Sequence, residues 1–151
     1  MNEVKSNKQY HPQMHSAEHI LNQTMVRMFN CGRSFSNHIE KKKSKCDYSY
    51  TRDLTEAELE EIEKRVNEVI NKDLKVVEEF IGKDDAEKEY NLTRLPDEAG
   101  ETIRIIKIGD YDACPCSGLH VSYTKEIGRF HIISTDYNDG KLRIRFKLFD
   151  E

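Results

Sequence analysis

The sequence predicts an α+β domain with a largely antiparallel sheet, and three observations carry that prediction. Two stretches place apolar residues at helical spacing. Several shorter ones alternate at strand spacing, and an Asn-Asp-Gly turn joins the last two of them. The chain has 151 residues, of which 36% are hydrophobic and 34% charged. That suits one domain over 1–151 with a modest core and a heavily charged surface.

The elements follow in order. Residues 13–29 set Met14, Ala17, Ile20, Leu21, Met25, Met28 and Phe29 three and four apart, the pattern of an amphipathic helix. Pro12 suits its first position, where a missing N–H costs nothing, and Cys31-Gly32 is expected to end it through a left-handed glycine. SFSNHIEKK and KCDYSYTRD flank a KKKSK turn and read as a hairpin. Thr55 followed by Glu58 is a capping box for a helix over 55–74 with the stripe Leu59, Ile62, Val66, Val69 and Ile70. KVVEEFI reads as a strand, KDDAEKEYNL as a short helix or turn, and 91–100 as a loop. ETIRIIKIGDYD contains a strand that leads into a Cys-rich turn. IGRFHIISTDY and KLRIRFKLF then form a hairpin about Asn138-Asp139-Gly140. That makes two main helices and about six strands, without internal repeats.

Composition excludes some classes. No run approaches the roughly 18 apolar residues of a membrane helix. The first residues lack the apolar stretch of a signal peptide, so a cytoplasmic location is expected. The four cysteines are then more naturally thiols or metal ligands than a disulfide framework, with Cys31 and Cys46 as core or half-buried thiols. The net charge of −4 is uneven: residues 1–50 carry 8 basic and 4 acidic side chains, whereas 51–100 carry 8 and 16. An anionic partner is therefore compatible with the total.

The chemistry concentrates in two short motifs. In HSAEH, His15 and His19 lie one helical turn apart and can aim two imidazoles at one ion. In CPCSGLH, Cys116 and His120 form C-x3-H in a turn between strands, a natural source of two more ligands. Three imidazoles and one thiolate suit zinc better than magnesium or calcium. Cys114 is an alternative thiol ligand, but the C-x3-H register favours Cys116. His11 continues the four-residue spacing backwards, yet Pro12 puts it at or before the helix cap.

These motifs resemble a known family. HSAEHIL is similar to H-S/T-A-x-H-L/V-L, LTEAELEEIEKRVNEVI to a long helix ending V-N-E-x-I, and IGDYDACPCSGLHVSYTKEIGRFHI to a run containing C-G-G-T-H-V. All three belong to the editing domain of alanyl- and threonyl-tRNA synthetases, most closely its small freestanding alanyl-tRNA editing form. The resemblance covers about residues 11–146. It implies a two-layer α+β fold and a zinc ion held by His15, His19, Cys116 and His120. It also implies hydrolysis of the ester of mischarged tRNA, most naturally seryl- or glycyl-tRNA for alanine, with seryl-tRNA for threonine as the alternative. The physical need is that an alanine pocket cannot exclude glycine or strongly reject an analogue differing by one hydroxyl.

The resemblance leaves the catalytic group open: a ligand histidine off the metal, or a zinc-bound water. It places a substrate-recognising hydroxyl at Ser34, with Ser36 beside it. Leu119 replaces the family threonine before the last ligand, which leaves the amino acid removed undetermined. The partner implied is the acceptor end of aminoacyl-tRNA, with no DNA, ATP or membrane. A whole synthetase is excluded on size. Candidate phosphate contacts are the turn Lys41, Lys42, Lys43 and Lys45 and the stripe Arg143, Arg145 and Lys147. The plainer reading of these groups is a charged hairpin tip and the solvent face of an edge strand.

Two rival readings stand beside this one. A zinc-stabilised tRNA-binding module would share the motifs without hydrolysis. H-x-x-E-H is also the inverzincin metallopeptidase signature, in which Glu18 would activate water, but C-x3-H is then unexplained. In the editing reading Glu18 is expected to be an exposed helix residue.

Overall fold

A computed structural model describes residues 11–90 and 102–150. Helix α1 spans Pro12–Phe29, strands β1 and β2 span Ser36–His38 and Ser44–Ser49, and helix α2 spans Glu56–Asn71. They are followed by β3 (Val76–Gly82), the short helix α3 (Lys83–Glu89), β4 (Thr102–Ile108) and β5 (Asp112–Pro115). A 3-10 turn over Thr124–Ile127 precedes β6 (Arg129–Asn138) and β7 (Lys141–Phe149). The pairings are antiparallel, and the fold is α+β. The expected loop over 91–100 lies outside the described residues.

The strands divide between two sheets, ordered β1-β2-β7-β6 and β3-β4-β5. Among the described residues there are seven strands rather than about six, because β5 occupies the start of the Cys-rich segment, where short length and a proline hide strand character. Helices α1 and α2 pack on the larger sheet. Ile20, Leu21 and Met25 of α1 share one core with Ile62, Val66 and Ile70 of α2 and with Tyr48, Phe130, Leu142, Ile144 and Phe146 of the sheet. The smaller sheet has its own cluster of Ala86, Ile103 and Ile105, while Ile108 joins the main core.

Local chemistry sets the ends of these elements. Thr55 and Glu58 form the capping box as expected, with Thr55 Oγ1 accepting from the Glu58 N–H at 3.2 Å. Asp139 and Gly140 both have positive φ, 51° and 86°, which is what a two-residue hairpin turn of the mirror-image type requires. The end of α1 differs from expectation. Asn30, at φ 53°, takes the left-handed cap, and Gly32 follows outside the helix. Asparagine tolerates that conformation because its short polar side chain bonds locally.

Two features position later arguments. Strand β6 is an edge, and α2 covers part of it. Asn67 donates to the Phe130 carbonyl and accepts from its N–H, both at 2.9 Å, while Glu63 accepts from the Ile132 N–H at 2.9 Å. Strand β7, by contrast, is paired on both sides and is no edge, so its basic stripe sits in mid-sheet.

Candidate metal centre

The first turns of α1 present a polar stripe to the protein interior. His15, Glu18, His19 and Asn22, spaced three and four apart, are all buried, as is Ser16 beside them. Facing His15 and His19 is the segment that leaves β5, Cys116 to His120. The guanidinium of Arg104 on β4 staples it by donating to the carbonyls of Cys116 at 3.0 Å and Gly118 at 2.8 Å. Gly118 lies so close to the His15 ring that a Cβ there would come within 2.6 Å of Nδ1. The helix and the loop therefore meet only because this position lacks a side chain.

One donor atom from each of His15, His19, Cys116 and His120 falls within 4.8 Å of all the others. The three imidazole centroids are 4.1–4.9 Å apart, and Cys116 Sγ lies 3.1 Å from His15 Nε2. The outward nitrogen of each ring has its own neighbour. His15 Nδ1 bonds the Leu119 carbonyl at 3.1 Å, and His120 Nδ1 bonds Ser16 Oγ at 2.9 Å. His19 Nδ1 lies 3.5 Å from Asp112 Oδ2. That arrangement sets each ring's orientation and leaves Nε2 as the inward donor.

The residues fit a metal ion. Tetrahedral zinc on nitrogen and sulfur sets donor separations of roughly 3.3–3.6 Å. The cluster already approaches this at His15 and Cys116, 3.1 Å apart, and the remaining donors lie within 4.8 Å of one another. Three imidazoles and one thiol is a donor set of the zinc type. In the protein alone, burial opposes charge on His19, but Asp112 and Cys116 outweigh it and raise the imidazole to about 9. Burial likewise works against the Asp112 carboxylate, yet His19 and Arg33 hold it well below the usual range. Arg33 makes a two-pronged contact with Asp112, at 2.7 and 3.2 Å, and Gln23 adds a bond at 2.8 Å.

The other candidates fall in different places. Cys114 is outside the four-donor group, and burial pushes its thiol up to about 11. Ser34 is buried and joined to Asn37, whose side-chain amide donates to Ser34 Oγ at 3.1 Å. Ser36 is exposed on β1. Lys41, Lys42 and Lys43 are exposed in the turn before β2, while Lys45 lies on β2 opposite Arg145. Arg143, Arg145 and Lys147 alternate with the buried Leu142, Ile144 and Phe146, so they occupy the sheet face away from the helices and do not line the cluster. Arg143 is tied to Asp47 and Arg145 to Asp136.

Glu18 corrects the sequence reading outright. It is 3% exposed, not a surface residue. Its neighbours His15, His19 and Asn22 all face inward, and a carboxylate on that face is buried with them. Asp112, Arg33, Arg104, Ser16 and Gly118 were missed as supports. The adjacent motif residues hinted at Ser16 and Gly118, but nothing local marks the others.

Fold and cluster together define an α+β protein with a three-histidine, one-cysteine centre able to hold a metal ion. Residues 103–145 match the family described as the threonyl and alanyl tRNA synthetase second additional domain. The chain is 34% identical over 121 residues to the alanine–tRNA ligase of Fervidobacterium nodosum, covering 80% of this chain and 14% of the ligase. With the alanine–tRNA ligase of Methanocella arvoryzae it shares 32% identity over 146 residues, 90% of this chain and 16% of the ligase. The protein is thus like the second additional domain of these synthetases, and it spans about one seventh of the length of the curated relatives it matches.

Proposed function

We propose that the protein is an aminoacyl-tRNA deacylase, one editing domain over 1–151 that acts in trans in the cytoplasm. Its substrates are seryl- or glycyl-tRNA for alanine, and its cofactor is zinc held by His15, His19, Cys116 and His120. The observation that carries this reading is the convergence of those four donors, with each imidazole supported from behind, in a chain similar to a synthetase domain. Zinc, when bound, supplies a Lewis acid for the ester carbonyl or for water. Among the chain's own groups, a ligand histidine that swings off the ion takes the proton from the attacking water. Asp112, Leu119 and Ser16 hold the imidazole rings in place. The exposed Lys41, Lys42 and Lys43 reach the tRNA phosphates, and no described helix is long and apolar enough to cross a membrane.

One observation favours a second reading, a tRNA-binding module without hydrolysis. Leu119, 54% exposed beside the cluster, offers no hydroxyl to a substrate. The deciding experiment measures release of radiolabelled amino acid from Ser-, Gly- and Ala-tRNA for alanine and from Ser-tRNA for threonine, with zinc-loaded protein and with Cys116→Ala. Serine release that spares Ala-tRNA and is lost in the variant supports editing. Response of the threonine tRNA alone moves the substrate to that tRNA. Zinc and tRNA binding without release from any substrate leaves the binding module.

A further inference from the structure

Glu18 gives the site an acid that the metal-binding arrangement does not use. Its carboxylate is held from one side: Asn37 Nδ2 donates to Oε2 at 2.5 Å, and Asn22 Nδ2 lies 3.5 Å from the same oxygen. Asn22 is fixed in turn, its Oδ1 accepting from the Tyr48 hydroxyl at 2.7 Å and from the Ser34 N–H at 3.2 Å. The other oxygen, Oε1, lies 3.7 Å from His15 Nε2, the nitrogen that also faces Cys116 Sγ. The polar scaffold from α1, β1 and β2 therefore turns one carboxylate oxygen toward the centre of the cluster.

A group in that position acts by charge. A divalent ion with the single Cys116 thiolate leaves a net positive charge, which repels a cation brought close to it. The aminoacyl ester of a charged tRNA carries such a cation, its α-ammonium. A carboxylate beside the ligands offsets the repulsion and accepts charge-assisted hydrogen bonds from the ammonium.

We propose that Glu18 is a specificity-determining residue that recognises the free α-ammonium of the aminoacyl group and so restricts the substrate class to esters with an unblocked amino group, excluding N-acylated ones. This rests on the deacylase reading. Asn37 and Asn22 are positioning residues for the carboxylate.

The test uses two non-hydrolysable probes, 3′-amino-3′-deoxyadenosine carrying serine in amide linkage and the same compound acetylated on the serine nitrogen. Their binding to zinc-loaded wild type and Glu18→Gln is measured by calorimetry, with zinc content determined for both proteins. The glutamine is nearly isosteric, removes the charge and keeps one oxygen to accept from Asn37. Wild type is expected to bind the free-amine probe about tenfold to a hundredfold tighter than the acetylated one, and Glu18→Gln to bind the two alike with its zinc retained. Equal binding of both probes by wild type, or discrimination that survives in Glu18→Gln, overturns the inference. Loss of zinc from Glu18→Gln also overturns it, because Glu18 then serves the metal and not the substrate. Ser-tRNA hydrolysis together with equal probe binding defeats this inference alone. Intact Ser-tRNA with neither probe bound defeats the deacylase reading as well.

Discussion

Replacing Gly118 with alanine probes how tightly the loop and helix of the centre are fitted. The added Cβ would stand 2.3 Å from His15 Cε1 and 2.6 Å from Nδ1, against 3.4 Å or more for an ordinary contact, so about 1.1 Å of separation must be found. The loop resists moving, because Arg104 holds the carbonyls on either side of Ser117. The ring resists as well, being fully buried and bonded to the Leu119 carbonyl. Overpacking of this kind costs about 1–3 kcal/mol. In a protein of this length about 2 kcal/mol corresponds to a fall in Tm of about 4–8 °C. The displaced ring also loses its alignment with the other donors, and disturbed ligand support costs roughly 10–100-fold in metal affinity. The assay pairs thermal unfolding of the metal-free protein with zinc competition against a chelator, using Ser117→Ala at the exposed neighbouring position as control. If Gly118→Ala matches wild type in both Tm and zinc affinity, the close approach of loop and helix is wrong, and so is the cluster built on it.

Three further outcomes follow from other parts of the structure. Asp112→Ala leaves the partly exposed Arg33 without its carboxylate and frees the His19 ring. It should cost about 1–3 kcal/mol in urea unfolding and weaken zinc, whereas an unchanged midpoint refutes the ion pair. Thr55→Ala should cost about 1 kcal/mol through loss of the helix cap. Arg52 and the Thr55 N–H lower the Glu58 carboxyl to about 2, below its unfolded value of 4.5. This contribution is therefore complete above about pH 4.5 and lost as pH falls through about 2, with solvent at the half-exposed Arg52 keeping it small. Acid titration of stability in Glu58→Gln should lack that segment, and an identical curve rejects the assignment. Lys41→Ala, Lys42→Ala and Lys43→Ala combined should weaken tRNA binding and reduce its salt slope by about 2–3. An unchanged slope places the tRNA elsewhere.

The sequence by itself determined what depends on neighbours within about four residues. The apolar spacing of 13–29 and 55–74, the Thr55 and Glu58 cap and the Asp139-Gly140 turn are local arrangements, and each was legible without the fold. The i, i+4 relation of His15 and His19 is local too, and so is the C-x3-H register of Cys116 and His120. Tertiary structure alone decided which helix face meets a polar wall. Helical geometry puts Glu18 beside His15 and His19, but its burial comes from Asn37 on β1, and the support of His19 comes from Asp112 on β5 and Arg33 beyond α1. The same holds for Cys114, whose place outside the donor group follows from its pairing in β5 opposite Ile106, and for Arg143 and Arg145, whose strand proved to be central. The physical reason is that backbone propensity and capping act along the chain. Burial, ion pairing and metal geometry instead depend on which distant segments are brought within a few ångströms, and that is set by the packing of the whole core.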